Sequence, residues 1–177
     1  MPYRIHKESD EGIILVKRKI LHSDVLIIVL TYHFGKIAVL AKGVQKITSK
    51  RISVLQTGNI VHITFTERHG SGRFLSSVDL VSHLSPIKKD LTKLQYLYLI
   101  LFMFERLLPD SQIDPHVYLL CKKIIIRLAR ERIDAFSMKK AMSEILDIMG
   151  YGKCDSYEEC VTMTENIMGK KFPVGVI

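Results

Sequence analysis

The chain has 177 residues, 47% of them hydrophobic and 25% charged, and a formal net charge of +8. These values exclude a disordered or fibrous chain. They fit one globular domain or two small ones, long enough to bury roughly 70% of the surface an unfolded chain exposes.

The first half reads as strands. "GIILVKRKIL" (Gly12–Leu21) and "VLIIVLTYH" (Val25–His33) are β-branched runs separated by the turn-like His22-Ser23-Asp24. "GKIAVLAK" (Gly35–Lys42) follows after Phe34. Its Ile37, Val39 and Ala41 share one face, and Ala38, Leu40 and Lys42 the other. A longer excursion, Gly43–Thr57, comes next. Then "GNIVHITFTE" (Gly58–Glu67) and "GRFLSSVDLVSH" (Gly72–His83) flank "RHGSG", a glycine-rich hairpin loop. Five strands with short links predict a small antiparallel barrel. The oligonucleotide/oligosaccharide-binding (OB) barrel is the commonest with that count, and an SH3-like barrel competes on pattern alone.

At Ser85-Pro86 the character changes. Asp90 is placed to cap a helix running to Leu108, which Pro109 stops. Asp114-Pro115 opens a second, to about Arg132. Ser137 is read as the cap of a third, ended by Gly150. Ser156 with Glu159 makes a capping box for a short fourth, ended by Gly169. The Leu94–Leu108 segment is apolar nearly all round, as the core of a helical bundle would be. In the second helix Val117, Leu120, Cys121, Ile124 and Leu128 follow helical spacing and should face that core. The predicted class is α+β: an OB barrel over residues 1–84 and a helical domain over residues 85–177.

Enzyme motifs are absent. There is no P-loop, paired-histidine zinc helix, G-x-S-x-G or dinucleotide fingerprint. "HGSGR" (His69–Arg73) lacks a following helix and a Lys-Ser/Thr pair, so it reads as a hairpin turn. His62 lies mid-strand and reads as a barrel or surface residue rather than a base. Neither catalysis nor a cofactor is expected. Cys154 and Cys160 stand too far apart for a zinc knuckle, and Cys121 reads as a buried thiol. Three cysteines make no disulfide framework for this length. No metal is expected. Met1–Lys7 is polar with no cleavage-type apolar region after it, and the longest apolar stretch is too short to span a bilayer. A cytoplasmic protein is the expectation.

The charge is uneven. Residues 1–85 carry 12 Lys+Arg against 6 Asp+Glu, whereas residues 86–177 carry 14 against 12. Between Asp24 and Glu67 there is no acid, while Lys36, Lys42, Lys46, Lys50 and Arg51 all fall there. A solvated loop normally mixes signs; a cationic groove tracking a phosphate backbone explains both sign and placement. Lys17 and Lys19 share one strand face, with Arg18 on the other. Gly43 would let main-chain amides approach a phosphate, or would simply permit a positive φ. Tyr32, Phe34, Phe65 and Phe74 are candidate stacking platforms, and each fits a core position equally well. The candidate contacts to nucleic acid are therefore Lys17, Lys19, Lys36, Lys42, Lys46, Lys50, Arg51 and Arg73. In the second helix Lys123, Arg127 and Arg130 form a cationic stripe beside Leu119 and Ile126. That stripe is either a solvated face or a dock for an acidic peptide ending in an aromatic residue.

"LVKRKILHSDVLIIVLTYHFGKIAVLAKGVQKITSK" resembles the N-terminal barrel of the RecO family of DNA repair and recombination mediators. The resemblance lies in order and spacing: Ser23-Asp24 in the first turn, Thr31 before the second, Gly35-Lys36, then Ala41-Lys42-Gly43 and a basic segment. "GSGRFLSSVDLV" resembles the family's fifth strand, and "ILDIMGYG" a helix end in its C-terminal domain. The resemblance implies binding of single- and double-stranded DNA, strand annealing, and help to RecA in replacing the single-stranded DNA-binding protein. Implied partners are RecR, RecA and the acidic tail of the single-stranded DNA-binding protein, and the implied location is the nucleoid. Against the family pattern the chain reads as shortened, without the four-cysteine zinc module of many members. An RNA-binding barrel has the same electrostatics, and a protein-interaction scaffold of the repair machinery without strong DNA binding is the third reading.

Overall fold

The computed structural model describes residues 6–20, 23–44, 51–68 and 72–172. The chain divides into two units, Met1–His83 with Asp110–Asp114, and Leu84–Pro109 with Pro115–Ile177.

The first unit is a closed barrel of β1 (His6–Lys19), β2 (Val25–Thr31), β3 (Gly35–Ala41), β4 (Ile60–Arg68) and β5 (Gly72–Ser82). The strand order is β1-β2-β3-β5-β4. Neighbours run antiparallel except β3 and β5, which pair in parallel through Val39↔Arg73 and Leu40↔Phe74. This is the OB arrangement.

β1 begins well before the apolar run, because its polar segment "HKESDE" pairs with β4 while its cationic end pairs with β2. Gly12 and Ile13 pair on both sides. A Cβ on Gly12 would sit 2.5 Å from Val29 Cγ1, so any larger residue would force Val29 to shift at that crossing. The register then slips between Ile14 and Val16. At the slip the Ile14 N–H donates to the Asn59 carbonyl (3.0 Å), and its own carbonyl accepts from the Gly58 N–H (2.8 Å). A bulge that bends a strand this way is how one strand serves two neighbours in a small barrel.

Alternating residues fill the interior: Val25, Ile27 and Val29, then Ile37, Val39 and Ala41, with Val61, Ile63, Phe65 and Leu75. Val44 and Leu55, from the excursion, join that core. The excursion also holds a one-turn helix, α1 (Arg51–Val54), which the sequence pattern did not announce. Buried Asn59 donates its Nδ2 to the Val54 carbonyl at 2.7 Å.

The β2–β3 turn is stitched from three sides. Thr31 Oγ1 donates to the Gly35 carbonyl (2.8 Å) and accepts from the Phe34 N–H (3.1 Å). The buried Asp10 carboxylate of β1 accepts from the His33 N–H (2.6 Å) and meets His33 Nδ1 at 3.0 Å. Residues Asp110–Asp114 lie along the same turn. The Ser111 N–H donates to the Lys36 carbonyl (2.9 Å), and Lys36 Nζ pairs with Asp110 at 3.1 Å. Gly35 has φ +65, and a Cβ there would collide with the Gln112 carbonyl.

The second unit contains α2 (Ser85–Lys88), α3 (Leu91–Leu107), α4 (Pro115–Arg130), α5 (Ala135–Ile148) and α6 (Tyr157–Met168). Asp90 caps α3 by accepting from the Lys93 N–H. The cap of α5 is Asp134, not Ser137: the Asp134 carboxylate accepts from the Ser137 N–H at 2.8 Å, which puts Ser137 inside the first turn. A charged acceptor at the positive end of the helix outcompetes a hydroxyl three residues on. Ser156 caps α6, but Glu159 reaches back to the Asp155 N–H rather than to that of Ser156, and Gly169 ends the helix at φ 62. The buried face of α4 holds Val117, Tyr118, Cys121, Ile124, Ile125 and Leu128, with Leu120 only half-buried. Cys154 and Cys160 are joined as a disulfide between Cα atoms 5.3 Å apart. Cys121 is a free, fully buried thiol, and burial pushes its pKa up. Among the described residues no helix is long and apolar enough to cross a membrane.

Gly35→Ala places a Cβ on a left-handed backbone and against the Gln112 carbonyl. The backbone part alone costs about 1–2 kcal/mol, so the urea midpoint should fall by at least that equivalent. Wild-type stability in this variant would mean that Asp110–Asp114 is not held on the turn.

The Ser137 amide holds the Asp134 carboxyl below the usual carboxylate range. The folded value being depressed, the cap's contribution is present above the unfolded pKa of about 3.9 and is lost as pH falls through the folded value. Asparagine caps as well and does not titrate there. Asp134→Asn should therefore match wild type more closely, or exceed it, as pH drops from 5 to 2 in thermal melts. A stability difference constant across that range would refute the cap's titration.

Candidate nucleic-acid interface

Cross-strand partners in a sheet share a face. Lys19 is opposite Val25, which is opposite Ala41. Lys17 is opposite Ile27, which is opposite Val39, which pairs with Arg73. Val25, Ile27 and Val39 are core residues, so Lys17 and Lys19 lie on the core side of the sheet. Lys17 is half-buried and Lys19 exposed. Burial lowers the Lys17 pKa, and the like charge of Lys19 lowers it further. An anion bound between the two would relieve that repulsion.

The next row runs across the other face: Arg18, Leu26, Leu40 and Phe74. Lys42 falls on the same side, two residues beyond Leu40. Leu26, Leu40 and Phe74 are half-buried, whereas Arg18 and Lys42 are exposed. The Lys42 ammonium stands 5.0 Å from the centre of the Phe74 ring. Arg18 is not among the contacts that the sequence predicts. Alternation puts it on a separate face from Lys17 and Lys19, but only the strand pairing shows that this face is also that of Lys42 and Phe74.

Other candidates are engaged within the barrel. Lys36 is buried and paired with Asp110, so its head group is directed at a carboxylate rather than at an open groove. Arg51 is half-buried and donates to the Ser76 carbonyl of β5 at 3.1 Å. Arg73 pairs with Glu67 at 3.2 Å across β4 and β5, and its buried Nε has no hydrogen-bond partner among the described residues. The Gly43 N–H donates to Asp24 Oδ1 at 2.8 Å. Its amide is thus already satisfied, and φ +67 is the reason for glycine there. Lys46, Lys50 and the loop residues His69–Ser71 lie outside the described residues. Of the two acids that bound the acid-free run, Asp24 folds back onto it at Gly43, whereas Glu67 turns to Arg73 beyond it.

The structure also sorts the aromatic candidates. Phe65 is fully buried, and Phe34 packs edge-on against it with centroids 5.3 Å apart. Tyr32 meets His33 edge-on at 4.6 Å. Phe74 is the one set beside an exposed lysine.

On α4, Leu119, Lys123 and Arg130 are exposed and Ile126 is half-buried. Arg127 turns aside to Glu144 of α5 at 3.5 Å. It also borders a small apolar recess with Ile100, Ile124, Leu128, Ile133 and Met138, to which Leu119 and Ile126 do not contribute. Among the described residues no three His, Cys, Asp or Glu side chains gather as a metal-binding group.

Residues 5–84 match the family model described as "Recombination protein O N terminal". Two proteins described as DNA repair protein RecO, from Listeria monocytogenes serotype 4b and Listeria welshimeri serovar 6b, are each 27% identical to this chain over 118 residues. That stretch is 67% of this chain and 46% of theirs, so the match spans about half the length of those relatives. Through its barrel, the chain is thus similar to the RecO family.

Proposed function

We propose that the barrel, residues 1–84, binds the backbone of single- and double-stranded DNA, and that the protein acts in recombinational repair as a strand-annealing mediator assisting RecA loading. The observation carrying this reading is the register itself. It draws Lys17, Arg18 and Lys19 of β1 to the same end of the sheet as Lys42 after β3, across a single intervening strand. Gathering cations at one end of a sheet builds a positive field, which a polyanion would find favourable. The names of the RecO relatives point the same way. On this reading Lys36 is a structural cation, and Arg51 and Arg73 contribute field more than direct contacts. The protein works without catalysis of its own, on the nucleoid.

Binding driven by phosphates is tolerant of sequence and steep in salt. A fluorescent single strand titrated at several salt concentrations tests this. Removing one cation from a phosphate should shallow the slope of log K against log salt by about 0.7. Lys42, Lys46, Lys50 and Arg51 changed together to Gln should therefore weaken binding and flatten the slope, with a melt confirming the fold. Lys17→Gln/Lys19→Gln should do the same. Unchanged affinity and slope in both variants would remove the barrel from DNA binding.

For the helical unit, residues 85–177, we propose protein partners: RecR, RecA and the acidic tail of the single-stranded DNA-binding protein. The exposed Leu119, Lys123 and Arg130, with Ile126 and Arg127 beside them, support α4 as the tail's dock. An exposed ion pair contributes about 1 kcal/mol or less, so affinity should be micromolar at best and sensitive to salt. A tail peptide titrated against wild type and Lys123→Glu/Arg127→Glu should bind the variant more weakly. Equal binding would exclude this helix.

A further inference from the structure

We propose that Phe74 is a base-stacking platform that gives the barrel its preference for unpaired strands, with Lys42 as its resting cover. The inference rests on the DNA-binding reading above and deepens it. Phe74 stands at the β3–β5 join, where the sheet makes its parallel pairing. Its ring stands in the row Arg18, Leu26, Leu40, Phe74, which crosses four strands, or roughly 14 Å at the usual strand spacing, and continues through Thr66 to Lys7. From the cation Arg18 the row runs over two half-buried leucines, an apolar floor, to the aromatic ring. Of the remaining aromatic candidates, Phe65 is buried, and Tyr32 and Phe34 each already make an edge-to-face contact with a neighbouring ring.

The Lys42 ammonium lies against the ring at 5.0 Å, held by the attraction of a cation for an aromatic face. A base can take that position because every base has a π-face, whereas a duplex keeps its bases stacked and offers none. When a base stacks, Lys42 swings from ring to phosphate. The cation leaves one favourable site for another, and exchange costs less than ordering a lysine from solvent. Lys42 then contributes to the salt dependence of binding and Phe74 to the preference for single strands, although the two side chains touch.

The test uses the full chain with labelled oligo(dT) and with its duplex with oligo(dA), each titrated at several salt concentrations. Phe74→Leu keeps an apolar side chain of similar bulk but removes the π-face, and Phe74→Tyr keeps both. Phe74→Leu should lose between roughly five- and 150-fold in affinity for oligo(dT), the range for one stacked base. Its duplex affinity and both salt slopes should stay as in wild type, and Phe74→Tyr should retain single-strand binding. Lys42→Gln should instead flatten the slope on oligo(dT), where the displaced ammonium meets a phosphate, more than on the duplex. An equal loss on single strand and duplex in Phe74→Leu, or no loss on either, overturns the platform and leaves the DNA-binding reading standing. Failure of wild type to bind either ligand overturns both.

Discussion

Everything in the barrel follows from β1 having to hydrogen-bond on two edges along different parts of its length. A straight strand pairs with the same two neighbours throughout. β1 instead gives its first half to β4 and its second half to β2, with the exchange at Gly12–Ile13. Two features make that possible. Gly12 leaves room for Val29 where the neighbours approach, and at the slip between Ile14 and Val16 the Ile14 backbone groups bond to Gly58 and Asn59. The chain entering β4 is thereby fixed to β1 before the ladder between them begins, and the Ile14 amide at the bend keeps a partner. The same bend sends Lys17, Arg18 and Lys19 out along β2, away from the acidic Glu8, Asp10 and Glu11 of the first half. One strand thus carries both the structural carboxylate Asp10 and the cations of the proposed interface, and the bulge keeps them apart.

A linear count of charge overstates the field of the barrel in one place and understates it in another. The acid-free run suggests five unpaired cations, yet folding brings carboxylates to it from outside. Asp110 arrives beside Lys36, and beyond the run Glu67 engages Arg73 across the sheet. Asp24 meets the Gly43 amide rather than a cation. Conversely, Arg18 gains importance only once its row is known. Electrostatic character in a barrel belongs to rows across strands, and a linear charge count runs along them.

Much of the fold is legible in the sequence because its signals are local. Alternation marks β2 and β3 to within two residues, since one face of each must be apolar. Caps mark α3 and α6, since Asp90 and Ser156 satisfy amides within their own turn. The start of β1 is illegible because "HKESDE" holds its place by backbone pairing with β4, and no side-chain pattern records that. Sequence alone favours Ser137 over Asp134 wrongly, because both are good caps three residues apart and the choice depends on where the preceding loop releases the chain. The candidate site is legible as a region but not as a surface. Lys36 and Lys42 look equivalent in sequence, and only the arrival of Asp110 separates them.

The strap formed by Asp110–Asp114 has a consequence for synthesis. A ribosome delivers the five strands in order, and β5 closes the sheet by Ser82, yet the segment that covers Gly35 and brings Asp110 to Lys36 is made only after α3 has been translated. For that interval the nascent barrel has a complete sheet and an unfinished turn, at the hairpin already pinned by Asp10. The final native pairing inside the barrel is thus supplied from beyond its own C-terminal boundary. A chain cut at residue 84 would keep all five strands and lack the strap, so the piece that matches the family's N-terminal domain is not the whole of the unit that folds.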